Sequence, residues 1–231
     1  MLPDILVASA WVIPVLLAVT LHEAAHGFVA WKLGDDTAKR LGRVTFNPIK
    51  HIDPFGTVLL PGMLILSGAP ILFGYAKPVP VNGFNLRNPR FGMVLVAAAG
   101  PGINLGLALA SALLLGLLVD IEVEESVVIP LRWLGANIYN SIQINSILAV
   151  FNMLPILPLD GGRILAGLLP KSLGISFART ERVGLLILLG LLFILPLLGK
   201  VLGVPLNILG PLVGLPAAWL ADLLVGLTGL Q

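Results

Sequence analysis

The sequence predicts an all-α protein that crosses a membrane about five to six times, with a re-entrant or hairpin segment after the first helix. Hydrophobic residues make up 57% of the 231 positions and charged residues only 11%, whereas an ordinary soluble domain is about 25% charged. The mean hydropathy is +1.00, and several apolar runs reach the roughly 20 residues that a helix needs to span a bilayer. These spans use up most of the chain, so no separate soluble domain is expected.

Charge and cysteine content narrow the classes of function. The formal net charge is only +2, and the basic residues gather in loops beside the apolar runs. This pattern indicates orientation in a lipid bilayer and no nucleic-acid partner. The chain has no cysteine, so disulfides, iron–sulfur clusters and cysteine-ligated zinc are excluded. Any metal site must use nitrogen and oxygen ligands.

The first predicted span, Ile5 to Trp31, contains the sequence His22-Glu23-Ala24-Ala25-His26. Histidines four apart lie on one face of a helix, roughly 6 Å apart along its axis, so one divalent ion can bind both. Glu23 is close enough to that ion to act as a general base without being a ligand. Two core histidines with ordinary partners are the alternative, but ionisable groups inside a span are costly unless they have a partner or a task. The pattern is the H-E-x-x-H signature of zinc hydrolases.

Two basic loops follow, Lys32 to Asp53 and Gly74 to Arg90, and the positive-inside rule places both on the cytoplasmic side. The apolar segment between them, Phe55 to Phe73, contains glycines and prolines that disfavour an uninterrupted helix. A re-entrant or hairpin excursion keeps both loops on one side. His51 is expected to be a loop histidine near the headgroups rather than a fourth metal ligand.

The remaining spans are predicted in order along the chain. The second span ends in an acidic loop suited to the outer face, and the last two spans form a hairpin. The chain therefore divides into a core, residues 1–170, and a C-terminal transmembrane hairpin, residues 171–231. The predicted spans are Phe91 to Val119, Trp133 to Leu159, Val183 to Leu198 and Pro205 to Val225.

A candidate third ligand, Asp160, lies in the proline-broken stretch where the third span ends. The predicted topology brings this end to the same membrane face as His22 and His26. Two imidazoles and one carboxylate, with a fourth position left open, are the ligand set of a hydrolytic zinc. The alternative is that Asp160 only caps the next helix, because Asp before Gly-Gly is favourable turn chemistry. The two roles are compatible.

Further polar residues lie within the spans. Ser141, Asn145 and Asn152 fall near one helical stripe, which indicates either a polar path for water or hydrogen bonds between helices. Packing is the expectation for Ser141 and Asn145, and function for Asn152. Gly100-Pro101-Gly102 is expected to allow close backbone approach beside the site, and Asn104 to orient a loop or substrate.

Together these motifs resemble the site-2 protease family of intramembrane zinc metalloproteases, in its compact prokaryotic type. The resemblance spans about Leu6 to Leu169. It implies that one Zn²⁺ per chain is bound by His22, His26 and Asp160. It also implies that Glu23 is the general base, and that Asn152 and Asn104 are candidates to contact substrate or the oxyanion. The motifs that carry it are His22-Glu23-x-x-His26, Gly100-Pro101-Gly102-Ile103-Asn104, Asn152-x-x-Pro155 and Leu159-Asp160-Gly161.

The resemblance also implies a partner and a location. The substrate would be a single-pass transmembrane protein, cut within or next to its span. The enzyme would be a multi-pass protein of the prokaryotic cell membrane, with its active site nearer the cytoplasmic face. A helical substrate must be unwound before cleavage, and Asn47 to Asn82 is the expected clamp, because an extended edge could pair with the unwound strand.

Two competing functions remain at this point. A divalent-metal transporter also carries His and carboxylate groups at membrane depth, but it would more naturally show several sites or inverted repeats, and the sequence shows one site and no evident repeat. The second competing function is that of a catalytically inactive scaffold. The intact base and ligand pattern argues against it.

Overall fold

The computed structural model describes residues 4–66, 74–119 and 127–229, and these residues contain helices and no strand. Two of the predicted features, the acidic loop at 120–125 and the later part of the interrupted segment, at 67–73, lie outside the described residues. The helices are α1 Asp4–Ser9, α2 Val12–Lys32, α3 Thr37–Arg40, α4 Leu60–Leu66, α5 Pro89–Val119, α6 Val128–Asn152, α7 Asp160–Leu168, α8 Lys171–Ala178, α9 Glu181–Leu189, α10 Leu195–Leu202 and α11 Leu209–Gly226.

Within the described residues, four helical stretches are long and apolar enough to cross a membrane, which confirms an all-α polytopic membrane protein. In one of them a short π-helical turn joins α9 to α10, so that the two form one continuous arm, which we call the α9–α10 arm. The four stretches are Asp4–Lys32, Pro89–Leu118, Glu181–Leu202 and Leu209–Gly226.

α6 is a fifth long helix and lies at the centre of the bundle, packed against α2, α5 and α11. Its 25 residues give a length of about 37 Å at 1.5 Å per residue, enough to span a bilayer. Several asparagines lower its hydropathy, but Asn137, Asn140 and Asn145 are buried against neighbouring helices rather than exposed to lipid. The interior of this bundle is therefore partly polar.

The predicted end of this span is wrong. The sequence placed it at Leu159, whereas α6 ends at Asn152 and an irregular loop covers 153–159. Pro155 and Pro158 explain the difference, since each lacks the N–H that a helix interior requires and its ring clashes with the preceding turn. The loop carries the chain from α6 directly into α7.

The two ends of the apolar segment that follows α2, the segment rich in glycine and proline, lie next to each other. The Tyr75 amide donates to the Gly56 carbonyl at 3.0 Å, and the Thr57 hydroxyl donates to the Tyr75 carbonyl at 2.8 Å. A single crossing would separate these two ends by about 30 Å, the thickness of the hydrocarbon core. The contact therefore agrees with the predicted re-entrant or hairpin course.

After this return, residues 75–82 run in an extended conformation across α2. The Lys77 amide donates to the His51 carbonyl at 2.9 Å, and the Arg43 guanidinium donates to the Lys77 carbonyl at 2.6 Å. At the far end, the Asn82 amide donates to the carboxylate of fully buried Asp35 at 2.6 Å. This extended segment, residues 75–82, is thereby fixed over the middle of α2.

Small side chains hold the other end of the bundle together. Ala108 and Ala112 of α5 contact Ile142 of α6 and Ala221 and Leu224 of α11. Small residues allow helix backbones to approach closely, which is the main source of packing energy between helices in a membrane. The last helix is therefore packed on the same bundle as the N-terminal helices.

Candidate metal centre

Three potential ligands converge where α2 meets the start of α7. His22 Nε2 lies 3.2 Å from Asp160 Oδ2, and His26 Nε2 lies 3.4 Å from the same oxygen. One ligand atom from each residue lies within 4.8 Å of the others, and all three side chains are buried. The structure thus brings together the two histidines of α2 and the acid that follows them by more than a hundred positions.

Each imidazole is held from behind through its other nitrogen. His26 Nδ1 donates to the Val96 carbonyl at 2.7 Å, since a carbonyl can only accept. His22 Nδ1 lies 2.6 Å from Asn104 Oδ1. With Nδ1 engaged in this way, the lone pair of Nε2 is available on each ring and faces the other ligands.

Gly100 of α5 forms the floor between the two rings. A Cβ atom at this position would lie 2.5 Å from His22 Cε1 and 2.5 Å from His26 Nε2. Any side chain would therefore occupy the space between the imidazoles. The predicted close approach of the Gly100-Pro101-Gly102 backbone is confirmed at Gly100, whereas a Cβ on Gly102 meets no described atom within 4 Å.

Two glycines allow Asp160 to reach the histidines. A Cβ on Gly161 would lie 2.3 Å from the Met153 carbonyl oxygen, and one on Gly162 would lie 2.6 Å from backbone atoms of the 153–159 loop. The loop can therefore fold directly onto the first turn of α7. Leu159, rather than Asp160, is the N-cap residue of α7, which leaves the carboxylate turned towards α2.

The donor set fits a bound divalent cation. Asp160 Oδ2 is buried without a hydrogen-bond partner among the described residues, and a buried carboxylate oxygen is costly unless a charge or a donor compensates it. Two imidazole nitrogens and a carboxylate oxygen are ligands that zinc accepts, and three protein ligands leave a coordination position open for chemistry. In the described part of the chain, this is the one group of three or more such side chains close enough to share an ion.

Glu23 lies beside this centre and is held by the extended segment. The Val79 amide donates to Glu23 Oε2 at 2.8 Å. Val79 is fixed in turn by its packing on Gly27, where a Cβ would lie 3.0 Å from Val79 Cγ1. One carboxylate oxygen is thus anchored, and the described residues give no hydrogen bond to the other.

A cavity of about 810 Å³ opens over the centre. Glu23 and the three potential ligands line one end of it, and apolar side chains form most of the remaining wall. Asn152 also lines the cavity, and its amide donates to the Leu148 carbonyl at 3.0 Å. The cavity therefore combines one polar end with a long apolar surface.

The structure places the two candidate asparagines differently. Asn152 faces the cavity, as a group that contacts substrate must. Asn104 is fully buried behind His22 and is not among the lining residues. Its position fits support of the imidazole, and direct contact with substrate stays a prediction.

His51 lies in the loop region after α3, as expected, and is covered by protein, while its level relative to the lipid headgroups stays a prediction. Its side chain is only 2% exposed, because Lys77 crosses its backbone and its Nε2 donates to the Thr45 carbonyl at 3.1 Å. Burial lowers the pKa of His51, and the nearby charge of Arg43 acts in the same direction, against the raising effects of the Thr45 carbonyl and of Glu23. His51 supports the extended segment and lies outside the group that could share an ion.

Sequence reasoning missed the backbone groups that complete the site. The Val96 carbonyl holds His26 and the Val79 amide holds Glu23, and a main-chain contact leaves no mark in residue identity. Asn104 was identified, but only its burial and its contact with Asn145 reveal which way its amide points.

Comparison with known proteins identifies close relatives. The family described as "Peptidase family M50" matches residues 132–195, which include most of α6 and all of α7. "Putative zinc metalloprotease YwhC" of Bacillus subtilis (strain 168) is 42% identical over 198 residues, which cover 85% of this chain and 85% of that protein. "Putative zinc metalloprotease Rip2" of Mycolicibacterium smegmatis is 32% identical over 188 residues, 81% of this chain and 66% of that protein. No solved structure matches.

Proposed function

This chain belongs to peptidase family M50, the site-2 protease family, and on that premise we propose that it is a zinc-dependent intramembrane endopeptidase. It hydrolyses a peptide bond within or next to the transmembrane segment of another membrane protein. The observation that carries this proposal is the convergence of His22, His26 and Asp160 on one side of a cavity that Glu23 also lines.

The chain's own residues supply positioning and proton transfer. His22, His26 and Asp160 would hold the zinc, which when bound supplies a Lewis acid and lowers the pKa of water. Glu23 accepts the proton from the attacking water through the oxygen that Val79 does not hold, and passes it to the leaving amine. Asn152 is placed to donate to the substrate backbone or to the developing oxyanion. The apolar cavity wall limits access of bulk water.

The position of the site along α2 supports an active centre near the cytoplasmic face. His26 precedes Lys32, the last residue of α2, by six positions, or about 9 Å at 1.5 Å per residue. Lys39 and Arg40 follow shortly after the helix end, and basic loops mark the cytoplasmic side of a membrane protein. A prokaryotic cell membrane fits the relatives, which are bacterial.

The extended segment is the proposed clamp for the unwound substrate. Val79 and Val81 line the cavity, and the segment has no partner strand within the described residues. The Val81 amide makes no hydrogen bond to the described residues, in contrast to the Val79 amide, which is engaged by Glu23. A substrate strand beside Val81 could therefore add main-chain hydrogen bonds, which supply affinity in β-augmentation.

Cleavage of a model single-pass substrate by the purified full-length protein tests the function. We expect the wild type to contain one zinc and to cut. Glu23→Gln should keep the zinc and lose about 10²- to 10⁴-fold in rate, the usual contribution of a general base. Asp160→Ala should lose the zinc. Unchanged cleavage by Glu23→Gln would overturn the mechanism, and metal uptake into vesicles without cleavage would instead identify a transporter.

The clamp is tested separately through KM. Val81→Pro removes one amide donor, whereas Val81→Ala shortens the side chain and keeps that donor. We expect Val81→Pro to raise KM with normal zinc content, and Val81→Ala to have the smaller effect. Equal KM values for Val81→Pro and wild type would remove the clamp. Val79→Pro is a poorer test, because it also releases Glu23.

A further inference from the structure

A chain of buried hydrogen bonds leads from His22 into the centre of the bundle. Asn104 of α5 accepts from His22 Nδ1 and donates through Nδ2 to Asn145 Oδ1 of α6 at 2.7 Å. The Asn145 amide donates to the Ser141 carbonyl at 2.8 Å and lies 3.2 Å from the Ser141 hydroxyl. Ser111 Oγ, on α5, lies 2.8 Å from that hydroxyl.

Backbone carbonyls fix the direction in which the groups of this hydrogen-bond chain donate. If Asn145 were turned by 180°, its oxygen would face the Ser141 carbonyl oxygen, and two acceptors would repel each other. Asn145 therefore presents its oxygen to Asn104. The same argument applies to Asn104, whose nitrogen faces both Asn145 Oδ1 and the Ala18 carbonyl oxygen at 3.4 Å. Each amide is fixed by an acceptor that cannot donate.

The direction of these hydrogen bonds decides which nitrogen of His22 carries the proton. Asn104 presents an oxygen to His22 Nδ1, so Nδ1 must donate and Nε2 keeps its lone pair. With Asn104 reversed, Nδ1 would accept and Nε2 would carry the hydrogen, which excludes Nε2 as a ligand. The two side chains that set the direction, Asn104 and Asn145, are 0% and 1% exposed, so water does not offer either of them an alternative partner.

We propose that Asn104 and Asn145 are positioning residues of the metal centre, and that the direction of their hydrogen bonds holds His22 in the tautomer whose Nε2 can bind metal. This inference rests on the proposed zinc site. It gives the two ligand histidines different supports, because His26 is held by the Val96 backbone and His22 by side chains from two helices.

Zinc affinity, measured by competition with a chelator on the purified full-length protein, provides the first test. We expect Asn104→Leu to weaken zinc binding about 10- to 100-fold, the usual cost of losing a partner behind a metal ligand. Asn104→Asp keeps an acceptor towards His22 but turns its second oxygen towards two acceptors, Asn145 Oδ1 and the Ala18 carbonyl, so it should restore the affinity only in part. Asn145→Leu should have a smaller effect, because the Ala18 carbonyl still restrains Asn104.

Ser146→Ala is the matched control. Ser146 follows Asn145 on α6, is fully buried, and its hydroxyl has no hydrogen-bond partner among the described residues. Its removal should leave zinc affinity unchanged. If Ser146→Ala weakens zinc binding as much as Asn104→Leu does, the effect is general loosening of the bundle and the inference fails.

Nitrogen-15 spectra of the histidine rings in the zinc-loaded protein provide the second test. These spectra would not change at His22 alone if Asn104 only stabilised the fold. The wild type should show exchange-protected Nδ1–H groups for both His22 and His26. Asn104→Leu should lose protection for His22 alone. If Asn104→Leu does not fold, Asn145→Leu must still weaken zinc binding and the His22 signal.

The outcomes separate this inference from the proposed function. A wild-type protein that takes up no zinc would overturn the zinc site and this inference with it. A wild type that binds zinc, together with an Asn104→Leu variant of equal affinity and unchanged His22 protection, would overturn the inference alone.

Discussion

The bundle of α2, α5, α6 and α7 and the α9–α10 arm line the same cavity but are built in opposite ways. The bundle is crossed by buried polar contacts, among them the His22–Asn104 and Asn104–Asn145 pairs. The arm contributes leucines to the cavity wall, and only 11% of its apolar 18-residue stretch is buried inside the protein, against 28% of the corresponding stretch in Asp4–Lys32. We therefore expect the geometry of the ligands to depend on the bundle, and changes in the arm to leave the ligands in place.

The reason for this difference is energetic. Lipid tails are as apolar as leucine, so an apolar helix gains little by leaving lipid for protein. A buried amide, in contrast, has no partner in lipid and must find one within the bundle. Hydrogen bonds between polar side chains thus stabilise the bundle around the metal ligands, whereas few contacts fix the apolar wall of the cavity.

The largest effect is expected within the bundle, at Gly100. Gly100→Ala places a methyl group 2.5 Å from both imidazoles, so the rings must separate or the helix must move. We expect loss of zinc and loss of cleavage, measured by metal analysis and by the single-pass substrate assay.

Gly102→Ala is the control for that prediction. It lies on the same helix, and a Cβ there meets no atom of the described residues within 4 Å. This change should keep zinc and activity and add up to about 1 kcal/mol of helix stability. Normal zinc content in Gly100→Ala would contradict the prediction, because the imidazoles of His22 and His26 would then not need the space that the added methyl group occupies.

The matching test in the arm is Gly184→Ala. A Cβ at Gly184 would lie 2.1 Å from the Leu157 carbonyl oxygen, where the arm contacts the loop before Asp160. Overpacking of this kind costs about 1–3 kcal/mol. We expect a lower thermal unfolding midpoint and slower cleavage, with zinc affinity close to that of the wild type.

Gly190→Ala, in the same arm, has no described atom within 4 Å of the added Cβ, so like Gly102→Ala it should leave cleavage unchanged and should not lower stability. A large loss of zinc affinity in Gly184→Ala would contradict the separation between the two regions, because the arm would then control the ligands as well as the wall.

The sequence predicted the bundle's chemistry better than its geometry. His22, His26 and Asp160 could be chosen because ionisable groups are rare and costly inside apolar spans, and the structure brings them together. The end of α6 was placed seven residues too late, at Leu159 instead of Asn152, because apolar content indicates membrane depth and does not show where a helix stops.

Other features could not be read from residue types at all. The burial of His51 depends on a segment more than twenty positions later crossing over it. The support of Glu23 by the Val79 amide is a main-chain contact. Both follow from the course of the chain between α2 and α5, which local patterns leave undetermined.

The last expected effect concerns stability rather than zinc binding, and it arises where the extended segment attaches to the bundle at Asp35. Burial by itself raises the pKa of Asp35, but hydrogen bonds from Thr37, Asn85 and the Asn82 amide outweigh it and lower that pKa below the ordinary value. A lowered pKa in the folded state means that the ionised carboxylate stabilises the fold above the unfolded-state pKa of about 3.9. This contribution is lost as the pH falls through the folded-state pKa.

Asp35→Asn should therefore reduce stability at pH 7 by about 1.5–3 kcal/mol, the usual value of hydrogen bonds to a charged group, and flatten the acid limb of the unfolding midpoint below about pH 5, where the wild-type carboxylate begins to lose its contribution. Exchange of the Asn82 amide, which donates to Asp35, should accelerate. Asp36→Asn is the control, since the Asp36 side chain forms an exposed ion pair with Arg40 and no other contact of this kind among the described residues, a pair worth about 0.3–0.5 kcal/mol. If both variants respond to acid as the wild type does, Asp35 does not hold the extended segment. The position of that segment over Glu23 must then depend on Arg43 and His51.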